Sequence, residues 1–178
     1  YVTDPGGSVY KIPAAGGSVA APWTSDTKLG TAGACPGASA TPTGANGIAF
    51  DAAGQAVFVT NTDRGAIVKI PVIAAGAAGT AADLVADCGQ LKGADGMALD
   101  LRDHSFVVAV NGQNAVRRVS STGSFTLIYK DLPLDSPASI AQLLPATTPE
   151  DFFLTSSGAA AVADGGSPKP SVVKLTIP

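Results

Sequence analysis

The chain has 178 residues, 46% of them hydrophobic and 14% charged, with 21 Gly, 13 Pro and a formal net charge of −3. That is the length of one domain with apolar side chains enough for a core, and its Gly and Pro content favours short elements joined by tight turns over long surface helices. Singly scattered basic residues and a pI near 4.9 exclude the clustered positive field that nucleic acid requires, and no apolar run approaches the roughly 18 residues that span a bilayer, so neither nucleic acid nor membrane is an expected partner.

In chain order, the first pair of predicted strands covers residues 1–3 and 8–12, separated by Asp4-Pro5-Gly6-Gly7, whose fixed Pro φ and Gly freedom favour a reversal. An outer strand is expected over 18–23. The Ala/Gly/Thr/Pro stretch over 29–44 then reads as a connection along one rim, because strand units lie on both sides of it. GANGIAFD, residues 44–51, starts a second unit that continues with strands over 56–60, 66–70 and 82–86 and a turn at Asp63-Arg64-Gly65. GADGMALD, residues 93–100, starts a third, with strands over 105–110, 115–119 and 124–129 and a turn at Asn111-Gly112-Gln113-Asn114. A last unit has strands over 139–143, 151–155 and 171–175; a helical reading of 136–145 is short and opposed by Pro137 and Pro145.

The units share a phrase. Residues 8–12, 66–70, 115–119 and 171–175 all run small, apolar, variable, basic, apolar, and the four-strand unit recurs at roughly 40 to 50 residues, the period of a β-propeller blade. The predicted fold is therefore all-β: four-stranded antiparallel blades, two complete and two partial, in one propeller domain over residues 1–178. The first unit lacks its innermost strand and the last its outermost. The rest of a ring is expected from blades outside these residues or from a second chain, since open sheet edges otherwise remain.

Alternating strand direction puts the start of each innermost strand and the second hairpin loop on one rim. Asn46 and Asp95 are expected there, just before their inner strands, together with Asn61, Asp63, Arg64, Asn111 and Asn114. A carboxylate and an amide oxygen are hard donors of the kind a divalent cation prefers. Asn-Gly and Asp-Gly are also ordinary turn dipeptides, so a structural reading stands beside the functional one. Asp51 and Asp100 belong to the turns that follow. His104, the one histidine, falls on the far rim, which leaves a Ser-His-Asp mechanism or a multi-histidine zinc site without support. Cys35 and Cys88 occupy equivalent connections between units; a disulfide between them is expected, and with it an oxidising compartment, secreted or periplasmic.

ANGIAFD followed by VTNTDRG, then ADGMALD and VAVNGQN, resembles the C-terminal part of the regucalcin/gluconolactonase group of six-bladed propellers, most strongly over residues 44–114. The resemblance implies a divalent metal on the channel axis, calcium foremost with zinc and manganese as alternatives, held by Asn46 and Asp95. It implies hydrolysis of a small-molecule substrate such as a sugar lactone, with Asp95 as the carboxylate that orients or deprotonates water. Asn61, Arg64, Asn111 and Asn114 are the expected substrate contacts. The family's further acidic ligand and an earlier Asn-bearing loop have no counterpart here, so the chain carries half of such a site. The competing expectation is a non-enzymatic extracellular propeller that binds a carbohydrate, peptide or partner protein at the same rim.

Overall fold

The computed structural model describes residues 1–38, 41–145, 150–159 and 165–177. These fold into four antiparallel sheets, each a meander whose spatial order follows the chain. The first holds β1 (Val2–Asp4), β2 (Ser8–Tyr10) and β3 (Thr24–Ser25). The second holds β4 (Ala45–Asp51), β5 (Ala56–Asn61), β6 (Ala66–Pro71) and β7 (Ala82–Ala86). The third holds β8 (Ala94–Leu99), β9 (Phe106–Val110), β10 (Ala115–Val119) and β11 (Phe125–Lys130), and the fourth β12 (Pro137–Gln142), β13 (Glu150–Ser156) and β14 (Ser171–Ile177). The expected blades are present, two with four strands and two with three. They fall into two compact units, Tyr1–Lys92 and Gly93–Pro178.

Packing inside each unit explains the apolar pattern. In the first unit Val9, Leu29, Ala45, Val57, Val59, Val68 and Ile70 form one buried cluster, so the two sheets meet face to face. In the second, Ala98, Val107, Val116, Leu134, Ile140, Phe152 and Leu154 do the same. β5 and β9 are buried along their whole length and on both faces, which is why their runs are almost continuously apolar instead of alternating.

Three elements differ from expectation. The outer strand of the first sheet is not 18–23 but Thr24–Ser25, paired with Val9 and Ser8. Trp23, just before it, still donates its backbone N–H to the Val9 carbonyl at 2.7 Å, while its indole N–H donates to the Gly76 carbonyl at 2.9 Å and its ring packs on Tyr1 at 4.8 Å between centroids. The last inner strand starts earlier than 139, at Pro137, where an edge position makes the missing N–H harmless. Finally, Cys88–Leu91 form a one-turn helix, α1, capped by the Asp87 carboxylate, which accepts from the N–H groups of Gly89 and Gln90.

Candidate functional site

Asn46 and Asp95 lie inside their inner strands, not just before them, and each sits at a break in the ladder. Ala45 pairs with Asn61 and Ile48 with Val59, so Asn46 and Gly47 together face Thr60. Ala94 pairs with Val110 and Met97 with Val108, so Asp95 and Gly96 together face Ala109. Pro137 pairs with Ser156 and Ile140 with Leu154, so Ala138 and Ser139 together face Thr155. Each inner strand of the three carries this bulge, which turns its first residue out of the regular alternation. The bulge is common to them; the side chain on it is Asn, Asp or Ala.

In the first unit the predicted rim is assembled. Asn46 is half-buried, its Nδ2 donates to Thr62 Oγ1 at 3.1 Å, and its carbonyl accepts from the Thr3 hydroxyl. The start of β4 thus meets both the β5–β6 loop and the middle of β1. Thr62 N–H and Asp63 N–H donate to the carbonyls of Gly44 and Thr43 at 3.1 and 3.0 Å. Asn61 and Arg64, expected to face a substrate, are engaged in holding this rim together. Asn61 is fully buried and its amide donates to the carbonyls of Lys28 and Gly30. Arg64 donates to the Lys28 carbonyl at 2.7 Å and pairs through both terminal nitrogens with Asp83, which also receives Lys28 Nζ at 2.9 Å. Burial alone would raise the Asp83 carboxyl; hydrogen bonds from Arg64 and Lys28 outweigh it and hold the carboxyl below the usual range. The Cys35–Cys88 disulfide is formed, and Cys35 N–H donates to the Asp63 carbonyl at 2.7 Å, so the bridge braces the same loop.

In the second unit Asp95 is half-buried on β8. Asn111 opens a short 3-10 turn, Asn111–Gln113, and is half-buried. By register it follows β9 as Thr62 follows β5. Asn114 holds a left-handed backbone, φ 49°, and accepts the Ser136 N–H at 2.8 Å on Oδ1, which ties the third sheet to the connection into the fourth. His104 lies exposed in the turn at the opposite end of β8, as expected.

That opposite end holds a cluster the sequence did not announce. Asp100 and Glu150 are both fully buried. Arg118, the basic residue of the repeated phrase, bonds Asp100 at 2.7 Å and Asp103 at 3.1 Å, while Arg102 pairs with Glu150. Burial, then the neighbouring Asp100, pushes the Glu150 carboxyl up against the pull of Arg102. Burial opposes ionisation of Asp100 too, but bonds from Glu150, the Arg102 N–H and Arg118 bring it down. Asp51 and Asp100 accept backbone N–H groups of their own turns, from Ala53, Gly54 and Arg102, away from the bulges.

The donor chemistry at the bulges suits a hard cation: an amide oxygen and a carboxylate. Among the described residues no group of three or more His, Cys, Asp or Glu side chains could hold a metal by itself. Each unit thus carries one such donor on an inner-strand bulge, Asn46 in the first and Asp95 in the second.

Residues 28–158 match the family described as the SMP-30/Gluconolactonase/LRE-like region. The chain belongs to this family. No curated protein matches it. Among solved structures, this SMP-30/gluconolactonase-family chain is similar to a luciferin-regenerating enzyme, at 17% identity and TM-score 0.57 over 75% of this chain and 45% of that one. It is similar to a calcium-binding protein, regucalcin, from Agrobacterium tumefaciens, at 20% identity and TM-score 0.55 over 75% of this chain and 46% of that one. A streptogramin B lyase gives 16% identity and TM-score 0.51 over 75% of this chain and 41% of that one. At such identities the likeness establishes the fold, a β-propeller, and the chain spans less than half the length of each of these structures.

Proposed function

We propose that this chain contributes part of the site of a metal-dependent hydrolase of the sugar-lactonase type, acting at the mouth of a propeller channel. The observation that supports it is the pair of bulges: the two strands that carry an oxygen donor there, Asn46 and Asp95, hold it at the same register position. Asn46 Oδ1 accepts no hydrogen bond among the described residues, so its lone pairs are available to a cation. A divalent cation held there, calcium foremost, would polarise the lactone carbonyl. Asp95 would accept a proton from the attacking water and return it to the ring oxygen as the ester bond breaks. Asn111 and Asn114 are the proposed polar contacts for substrate hydroxyls; Asn61 and Arg64 brace the rim of the first unit. The disulfide supports a secreted or periplasmic setting.

Titration calorimetry with Ca²⁺ tests the donor assignment. Asp95→Asn removes a formal charge and should weaken binding more than Asn46→Ala, which removes a neutral donor. Hydrolysis of an aldonolactone, followed by acid release in a pH-stat, should require Asp95. Ca²⁺ affinity unchanged in both variants would defeat the proposal. Lactone or sugar binding without turnover would favour a binding propeller instead.

A further inference from the structure

The geometry points to Thr62 as the residue that sets which end of the Asn46 amide faces the cation, an inference that rests on the metal reading above. An amide is asymmetric: one end is an acceptor that suits a cation and the other a pair of N–H donors that repels it. At the bulge of β4 the two ends stand in different surroundings: Thr62 Oγ1 accepts from Asn46 Nδ2 at 3.1 Å, while Oδ1 accepts no hydrogen bond among the described residues and is the end left for a cation. The strand itself cannot rotate to spoil this arrangement, since the Asn46 carbonyl receives the Thr3 hydroxyl.

Thr62 is itself held in place. Its N–H donates to the Gly44 carbonyl at 3.1 Å. The next residue, Asp63, is 3% exposed; its carboxylate accepts the Thr43 N–H at 2.8 Å and its carbonyl accepts the Cys35 N–H at 2.7 Å. Residues on both sides of β4 therefore fix the loop backbone that carries Thr62 before any ligand arrives. Asp95 poses no such problem, because a carboxylate presents oxygen at both ends. The residue matching Thr62 after β9 is Asn111, an amide, not a hydroxyl.

Without the hydroxyl, the competent orientation of Asn46 becomes one of several, and apparent affinity falls by the fraction lost, about two- to tenfold. Ca²⁺ titration calorimetry on the full chain tests this with Thr62→Val, Thr62→Ser and Asn46→Asp. Thr62→Val should weaken Ca²⁺ binding by about two- to tenfold, and Thr62→Ser, which keeps the hydroxyl, should restore it to within about twofold. In an Asn46→Asp background, where both ends of the side chain are oxygen, Thr62→Val should cost little; a role in folding alone would cost the same in both backgrounds. Thr62→Ala gives the same comparison should the Val variant fail to fold. Asn46→Ala weakening Ca²⁺ while Thr62→Val and Thr62→Ala do not, or an equal loss in both backgrounds, overturns the positioning role alone. No Ca²⁺ binding by the wild-type chain, or none lost in Asn46→Ala, overturns the metal reading and the positioning with it.

Discussion

Gly96 of β8 lies against Ala138 of β12: a Cβ on Gly96 would stand 2.6 Å from the Ala138 carbonyl oxygen and 2.8 Å from Ser139 Cα. The contact brings the bulges of two inner strands together, and no side chain fits between them. Gly96→Ala should therefore separate the third and fourth sheets and cost about 1–3 kcal/mol, read as a lower urea midpoint. An unchanged midpoint would show that the strands part without penalty.

The disulfide closes a loop spanning 53 residues of sequence. Restricting the unfolded chain by a loop of that size is worth about 4 kcal/mol. Dithiothreitol, or Cys88→Ser, should lower the unfolding midpoint accordingly, and iodoacetamide should label neither cysteine of the unreduced native protein. Rapid labelling of either one under those conditions would count against the bridge.

Arg64 is the hub of the first unit's rim, touching the Lys28 carbonyl and both oxygens of Asp83. Arg64→Ala leaves these acceptors short of a donor and should cost about 1–3 kcal/mol. The Asp83 carboxyl titrates below its usual range in the fold, so the stability it adds is present above about pH 4 and is lost as pH falls through its folded value. The gap between wild type and Asp83→Asn should accordingly shrink on acidification, measured by urea unfolding in steps from about pH 6 downwards. A gap that stays constant would mean that the pair is not coupled to folding.

Glu150 predicts the opposite pH trend. Its carboxyl is raised in the fold, so the stability that accompanies its neutral form is present below about pH 4 and is lost as pH rises through its folded value. Glu150→Gln keeps a neutral donor beside Asp100 at every pH. Relative to wild type, this variant should gain stability between about pH 4 and pH 7, and a gain in the other direction would mean that Arg102 and Arg118 keep Glu150 ionised.

The blades were legible where sequence pattern and burial agree. β5 to β11 follow from apolar runs punctuated by Asp-Arg-Gly and Asn-Gly-Gln-Asn, and the disulfide followed from equivalent positions of Cys35 and Cys88. β3 was not legible, because an outer strand of two residues has no periodicity to show, and the apolar Trp23 is committed to Tyr1 and Gly76. The bulges are hidden in the sequence for a different reason: Asn-Gly and Asp-Gly look like turns, and only the pairing of Ala45 with Asn61 and Ile48 with Val59 shows that the strand has already begun. The Asp100–Glu150 cluster joins residues far apart in sequence, and Arg118 reads along its strand as one more solvated cation like Lys69, which is exposed. Thr62 carried no signal of its own; it acquires one only when the loop is folded back over Asn46.

A bulge that survives the exchange of Asn for Asp, and of Asp for Ala, is specified by backbone pairing and by the chain that crowds it, with the outward residue left out of that specification. Mutation can therefore sample that residue in one sheet at a time while the ladder on either side stays intact. Change of ligand chemistry is in this way uncoupled from change of fold, and a lineage built on such sheets can alter, lose or regain a donor by single substitutions without passing through an unfolded intermediate sequence.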